Sequence, residues 1–144
     1  MDADLLTLAR VARLLERACG ELDAPLTLAQ YRLLAMIASG SDRASRLARM
    51  LALAKPTVSA TVDTLVERQL VERSTSRDDR RVTTLTVTDA GHTVLTNAET
   101  AMRTSFGEVL AHVDDPAEVA RALAAVSVGL DQRRAERRAV RERV

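Results

Sequence analysis

The sequence predicts a mainly α-helical domain with one small β-hairpin, an α+β fold. Apolar residues recur every three or four positions through most of the chain, which is the period of an amphipathic helix. The period shortens to alternation around Leu85 and Val87, in a threonine-rich run that favours strand. A length of 144 residues, with 47% hydrophobic and 28% charged residues, is ordinary for one globular domain.

Two helices are expected in the N-terminal part of the chain. The first is indicated by apolar residues at steps of three and four, and Pro25 ends any continuation. The second runs from Thr27 or Leu28 to about Ile37, with Thr27 as N-cap and Ser39-Gly40 at its end. The apolar stripe of the first helix is Leu5, Leu8, Ala12, Leu15, Cys19 and Leu22.

A helix-turn-helix with a charged hairpin is expected in the middle of the chain. Residues 43–51 place three apolar side chains on one face, and Pro56 suits the first turn of a second short helix that ends near Arg68. Strands are expected at residues 71–74 and 82–88, around a charged loop. This order of elements is a winged helix. The apolar positions of the two short helices are Leu47, Ala48, Leu51, Val58, Val62, Leu65 and Val66.

Two further helices complete the predicted chain, one at about residues 89–113 and one beginning after Asp114-Asp115-Pro116. The apolar stripes of the terminal helices have no partner in the winged module, so we expect a twofold homodimer. The winged part is placed at about residues 27–90, and the dimerisation part at about 1–24 and 114–144. The expected dimer residues are Leu5, Leu8, Ala12, Leu15, Leu22, Val119, Leu123, Val126 and Leu130.

Composition excludes several classes of protein. Tyr31 and Phe106 are the only aromatic residues, so an aromatic platform for single-stranded nucleic acid is excluded. The single cysteine, Cys19, cannot form an internal disulfide, and with two histidines it cannot fill a Cys/His zinc site. No cofactor or metal is expected. The acidic N-terminus and the short apolar runs predict a soluble cytoplasmic protein without a signal peptide or a membrane contact.

Basic charge is concentrated in the middle of the chain. Residues 41–82 hold nine basic and six acidic side chains, whereas the whole chain has a net charge of +1. This excess indicates either a local polyanion footprint or a solvated face. The arginine cluster at the C-terminus has three interpretations. It is a solvated helix end, a phosphate contact or, in a dimer, a contact with acids of the partner's first helix. It comprises Arg133, Arg134, Arg137, Arg138, Arg141 and Arg143.

With these motifs the chain resembles the multiple antibiotic resistance regulator (MarR) family of bacterial transcription factors. The resemblance follows the whole chain in order and length, with its specific signal in about residues 44–95. The most specific piece is Asp79-Arg80-Arg81, followed after six residues by Thr88-Asp89-Ala90-Gly91. The other stretches that carry it are residues 47–51, 55–59, 62–68, 70–73 and 85–87.

The resemblance implies a homodimeric, sequence-specific regulator of nearby genes, a repressor that binds double-stranded DNA at a pseudo-palindromic operator. The recognition helix would enter the major groove, where helix position favours contacts from Lys55, Thr57 and Ser59. In similar proteins the second arginine after the wing aspartate, here Arg81, enters the minor groove, with Asp79 holding it. The full set of DNA-binding candidates is Lys55, Pro56, Thr57, Ser59, Ala60, Thr64, Arg73, Arg77, Asp79, Arg80 and Arg81.

The chain departs from the family pattern in its recognition helix and in the turn after it. Ala60 and Thr64 stand where arginine is frequent, so the operator should differ or bind less tightly. Gln69 stands where glycine is usual, and a left-handed glutamine there would cost roughly 1 kcal/mol unless the turn is built differently.

Family members commonly respond to a small molecule, so a small anionic or phenolic effector is a further expected partner. Its candidate site is Tyr31, Met36, Met102 and Phe106, although these side chains are also typical of a core. Cys19 is interpreted either as a redox switch or as a core residue.

The alternative function is a winged-helix module that binds protein without specific DNA binding. An enzyme is not supported, because the sequence offers no nucleophile–base constellation or phosphate-binding glycine loop.

Overall fold

The structure is a computed structural model that describes residues 2–41, 43–51, 53–75 and 83–142. Its element order is α–α–α–α–β–β–α–α, as the sequence predicts. The elements are α1 (Asp2–Gly20), α2 (Leu28–Ala38), α3 (Ala44–Leu51), α4 (Lys55–Glu67), β1 (Val71–Thr75), β2 (Thr83–Val87), α5 (Asp89–Leu110) and α6 (Pro116–Glu142). In this part of the chain no helix combines the length and apolar character needed to cross a bilayer.

The chain divides into two compact units, Met1–Phe106 and Gly107–Val144. The first unit contains the hydrophobic core, to which α1 to α5 and both strands contribute buried side chains. Leu34, Leu47 and Leu65 are completely inaccessible to solvent at its centre. Because these three residues belong to α2, α3 and α4, the core fixes the helix-turn-helix as one packed body.

Local sequence sets the start of the helices before and within the helix-turn-helix. The Thr27 hydroxyl accepts the backbone N–H of Gln30 at 3.1 Å, and the Gln30 side-chain oxygen accepts the N–H of Thr27 at 3.0 Å. This capping box confirms Thr27 as the N-cap of α2. Pro56 lies in the first turn of α4, where its missing N–H leaves no helix hydrogen bond unmade.

The two strands form an antiparallel hairpin in which Val71 pairs with Val87 and Arg73 pairs with Leu85. Leu85 and Val87 are buried, and Thr86 between them is exposed, as the alternation in the sequence predicts. In β1 only Val71 is buried. The hairpin therefore packs against the core at its base, next to α4 and α2.

A compact junction joins the end of α4 to the start of α5. Gln69 adopts φ 58°, so the left-handed alternative for this turn is the one observed. The Thr88 hydroxyl donates to the Gln69 carbonyl oxygen at 2.7 Å and accepts the N–H of Gly91 at 3.0 Å. Thr88 thus caps α5 and holds the turn before β1 with the same side chain.

The second unit consists mainly of α6, whose N-terminus is capped by Asp115 through the N–H of Glu118 at 3.1 Å. Its apolar residues remain exposed within the chain, with Leu123 at 46%, Val126 at 57% and Leu130 at 50% of full accessibility. A helix of this length gains most of its stability from packing, so this exposed face is incomplete in a single chain.

Candidate nucleic-acid interface

The second helix of the helix-turn-helix, α4, has one buried and one exposed face. Val58, Val62 and Leu65 are buried against α2 and α3. The predicted contact residues of its first two turns are all exposed, whereas Thr64 is half-buried. The exposed ones are Lys55, Pro56, Thr57, Ser59 and Ala60. The N-terminal half of α4 therefore presents one cation, two hydroxyls and small apolar groups to solvent.

The N-terminus of α4 differs chemically from those of α2 and α5. Side chains cap α2 and α5, but the N-cap position of α4 is Ala54, which has no side-chain hydrogen bond to offer. The first backbone N–H groups of a helix without such a cap are available to an external acceptor. Together with the helix dipole and Lys55, they make this end of α4 suited to a phosphate group.

Two threonines of α4 direct their hydroxyl protons to the helix itself. Thr61 donates to the Thr57 carbonyl oxygen at 2.9 Å, and Thr64 donates to the Ala60 carbonyl oxygen at 3.1 Å. In this geometry the Thr64 hydroxyl keeps only acceptor capacity toward a ligand. Thr57 and Ser59 remain the better placed hydroxyl groups on the exposed face.

Arg73, a predicted DNA contact on β1, lies against α4. Its guanidinium donates to the Asp63 carboxylate at 2.5 Å, and both side chains are partly exposed. Asp63 and Glu67 place two acids on the C-terminal half of the exposed face of α4. This pairing is not predictable from the spacing of the two residues in the sequence.

Three further arginines, which are not among the predicted DNA contacts, are exposed close to α4 in the sequence. Arg43, Arg46 and Arg49 are exposed in or just before α3, while Leu47, Ala48 and Leu51 are buried. On a helical projection Arg46 and Arg49 lie opposite the buried face. Their spacing of three residues within the basic segment 41–82 was the signal that could have identified them.

The tip of the wing lies outside the described residues. Four of the predicted DNA contacts fall there, namely Arg77, Asp79, Arg80 and Arg81. The described strands β1 and β2 nevertheless define the stem of the wing and its register. The roles of the four tip residues stay predictions.

Three of the four predicted effector residues belong to the helical core region, and the fourth, Phe106, is half-buried near the end of α5. Met102 is buried, and Tyr31 and Met36 pack against the core while partly exposed. Burial raises the pKa of the Tyr31 hydroxyl, the charges of Glu99 and Cys19 raise it further, and Arg103 lowers it. An open groove lies beside Gly20 and Leu26 and is lined by Arg13, Arg17 and Arg68. None of the four predicted effector residues lines this groove. The effector site, including Phe106, stays a prediction.

Cys19 is completely buried, and burial raises the pKa of its thiol. A raised pKa lowers the fraction of reactive thiolate at neutral pH. Its environment is therefore that of a core cysteine.

The predicted dimer residues separate into two groups within the chain. Leu15 and Leu22 of the first unit pack against its core, whereas Leu5 and Leu8 at the start of α1 are 65% and 59% exposed. Ala12 is exposed as well, and Val119 is half-buried. Of the C-terminal arginines with described side chains, Arg133 and Arg137 are exposed, and Arg134 pairs with Asp131 at 3.4 Å.

A helix-turn-helix followed directly by a two-stranded hairpin, with an exposed polar N-terminal half on its second helix, defines a winged helix-turn-helix protein. Residues 24–82 match the model of the MarR family. The match over this segment agrees with the resemblance seen in the sequence.

Solved structures share this fold over nearly the whole chain. RV1404 from Mycobacterium tuberculosis superposes with a TM-score of 0.76 at 23% identity, covering 89% of each chain. The apo form of MarR from E. coli gives 0.74 at 21% identity, covering 87% of this chain and 93% of that one. The transcriptional repressor CouR, bound to a 23-mer DNA duplex, gives 0.75 at 24% identity, covering 88% of each. Among curated proteins the sequence has no significant match.

Proposed function

We propose that this chain is a DNA-binding transcriptional regulator that acts as a homodimer on a pseudo-palindromic operator. The observation that carries the proposal is the exposed N-terminal half of α4, on a MarR-family winged helix-turn-helix. In helix-turn-helix proteins this part of the second helix contacts base edges in the major groove. The similar fold of CouR, a repressor bound to duplex DNA, supports the same use of the fold here.

Base contacts come from the first two turns of α4. Lys55 donates to guanine or phosphate acceptors, Thr57 and Ser59 exchange hydrogen bonds with base edges, and Ala60 suits a thymine methyl. The acids of α4, Asp63 and Glu67, lie one to two turns later, away from the end that contacts bases. An acidic or apolar face at the start of α4 would have favoured the alternative protein-binding module, and it is not what the helix presents.

Phosphate contacts come from α3. Arg46 and Arg49 are exposed opposite its buried face, and only residues 52–54 separate the end of α3 from Lys55. The first helix of a helix-turn-helix crosses the DNA backbone, where arginine forms bidentate pairs with phosphate. The wing completes the interface with Arg81 in the minor groove and Arg77 and Arg80 on the backbone.

Two copies of the chain form the active unit. A single chain leaves apolar side chains of two helices exposed to water. They are Leu5 and Leu8 of α1 and Leu123, Val126 and Leu130 of α6. A closed twofold dimer buries such surface and repeats the recognition helix. The two half-site centres then lie about one helical turn, or about 10–10.5 bp, apart.

Regulation is proposed to be repression of nearby genes, relieved by a small anionic or phenolic effector. Repression follows from occupancy of an operator that overlaps a promoter. The effector site is assigned to the region of Tyr31, Met36, Met102 and Phe106.

Fluorescence anisotropy of the purified chain on the duplex upstream of its own gene tests the proposal. A scrambled duplex of equal length is the control, and both are measured at two salt concentrations. We expect the native duplex to bind more tightly, with saturation at two chains and an affinity that falls with salt. Equal and weak binding to both duplexes would contradict sequence-specific binding to this region and favour the protein-binding module.

A matched pair of variants tests the α3 contacts. Arg46→Gln should weaken binding and reduce the salt slope by about 0.9 for each chain, because one phosphate contact is lost. Arg32→Gln removes an exposed arginine of α2, outside the basic segment, and should leave both quantities unchanged. Equal losses in the two variants would mean that overall charge, rather than α3, determines the affinity.

A further inference from the structure

We propose that Asp63 is a specificity-determining residue that holds Arg73 on the recognition helix and so withholds its charge from DNA phosphates. The inference rests on the proposed function and assigns Arg73 a positioning role rather than a direct contact. Its basis is the pairing of a recognition-helix carboxylate with a wing-strand guanidinium at 2.5 Å.

The direction of Arg73 follows from the strand register. Side chains two residues apart in a strand point to the same face, so Arg73 lies on the face of Val71, which is buried. Its cross-strand partner, Leu85, is buried on that face too. Because β1 packs against α4, this face directs the guanidinium to the helix, whereas Glu72 and Ser74 lie on the opposite face.

Asp63 occupies a position at which an unpaired acid would oppose DNA binding. It follows Ser59 by four residues on the exposed side of α4, so it lies one turn beyond the proposed base contacts. A carboxylate there repels phosphate, and the bound guanidinium offsets that charge. The pair therefore neutralises the acid that lies nearest to the proposed base contacts and leaves discrimination to the first two turns.

The pair also joins the two elements that must enter neighbouring grooves. Asp63 belongs to α4, and Arg73 belongs to the stem of the wing, so their contact restrains the wing relative to the recognition helix. Both side chains keep substantial exposure, 53% for Asp63 and 41% for Arg73, so the contact is reachable by solvent and salt. Its main effect is consequently on charge placement and geometry rather than on global stability.

Removal of the carboxylate releases Arg73 to bind phosphate. Asp63→Asn should strengthen binding to a 30-bp duplex of arbitrary sequence by about eightfold for each chain at 0.1 M salt, and steepen the salt slope by about 0.9. The preference for the native duplex over the scrambled one should fall. In the double variant Asp63→Asn/Arg73→Gln the slope should return to that of the unmodified chain.

Two controls separate this effect from a change in net charge or in folding. Glu67→Gln removes an acid from the same exposed face, one turn later, and should change the salt slope much less than Asp63→Asn does. Amide hydrogen exchange provides a readout without DNA. Both Asp63→Asn and Arg73→Gln should speed exchange in β1 and β2 while α2 stays protected.

Each of the following results would overturn the inference. Arg73→Gln alone could reduce the salt slope by about 0.9, which would make Arg73 a direct phosphate contact. The double variant could keep the full gain of Asp63→Asn, or Glu67→Gln could match that gain. If the unmodified chain binds duplex DNA and all the slopes coincide, the inference fails and the proposed function stands. If the unmodified chain binds no duplex at all, both fail.

Discussion

The Cα of Gly91 lies so close to the backbone carbonyl of Leu70 that a Cβ on residue 91 would overlap the carbonyl oxygen. The same Cβ would come within 2.7 Å of a methyl group of Val87. The first turn of α5 therefore packs directly on the turn that leads from α4 into β1. This contact explains the glycine of the Thr-Asp-Ala-Gly motif, which serves the architecture of the wing stem rather than contact with DNA.

Gly91→Ala should destabilise the chain by about 2 kcal/mol or more, because neither a backbone carbonyl nor a helix packed against the core can move away cheaply. Urea unfolding followed by circular dichroism measures the change. Gly107→Ala is the matched control, since a Cβ there meets no atom within 4 Å and alanine favours helix. If the Gly91→Ala variant is as stable as the unmodified chain, the contact between Gly91 and the Leu70 carbonyl is not tight.

Gln69→Gly should raise the free energy of unfolding by about 0.5–1 kcal/mol. At φ 58° the glutamine Cβ is strained, and glycine removes that strain at some cost in chain entropy. The hydrogen bond from Thr88 is unaffected, because it uses the backbone oxygen of residue 69. Gln69→Ala keeps the Cβ and should show no such gain, and a gain in both variants would argue against strain as the cause.

Most of the fold was predictable because each signal was local. Thr27 and Thr88 mark helix starts by their own hydrogen bonds, and the alternation at Leu85 and Val87 depends only on neighbours in the strand. The predicted end of α5, near residue 113, was three residues too late. Helix ends depend on fraying and on packing that the sequence does not report.

The candidate site was predictable only in part, because some of its contacts join elements that are not neighbours in the sequence. Exposure of Lys55, Thr57 and Ser59 followed from the positions of the buried valines in α4. The pairing of Asp63 with Arg73 did not, because it depends on how a strand face meets a helix. The arginines of α3 were visible in the sequence, yet the sequence alone did not distinguish a phosphate-binding face from a solvated one.

Arg81→Ala should weaken operator binding by at least tenfold while leaving the dimer intact. The prediction comes from the resemblance of the wing sequence, since Arg81 lies outside the described residues. A single arginine in a narrow minor groove gains from the enhanced negative potential there. Anisotropy titration and size-exclusion chromatography provide the two readouts. Unchanged affinity would remove the wing tip from the mechanism.

Leu8→Arg should yield monomers or insoluble protein, because it places a charge on the exposed apolar stripe of α1. We prefer it to Leu15→Arg, since Leu15 packs against the core of its own chain and its loss would also destabilise the fold. Leu6→Arg introduces the same residue at 65% exposure on another face of α1 and should leave the dimer intact. Analytical ultracentrifugation distinguishes the outcomes, and a stable Leu8→Arg dimer would place the interface elsewhere.

The free energy of unfolding should fall as the pH rises above about 9. Burial raises the pKa of Cys19 above its ordinary 9.0 and that of Tyr31 above its ordinary 10.0, so both groups ionise first in the unfolded chain. Their contribution is complete below the unfolded-state values and is lost as the pH rises through the folded-state ones. Urea midpoints at pH 7.5, 9 and 10 test this, and the double variant Cys19→Ala/Tyr31→Phe should flatten the decline. An equally steep decline in that variant would assign it to other groups.

A hydroxyl-radical footprint of the chain on the duplex upstream of its own gene tests whether a dimer binds a pseudo-palindromic operator there. We expect protection of the backbone in two patches related by a pseudo-twofold axis, with centres about 10–10.5 bp apart. Protection should disappear together from both patches as salt rises or when Leu8 is replaced by arginine. A single patch, or uniform weak protection along the duplex, would contradict a dimeric regulator that reads a pseudo-palindrome.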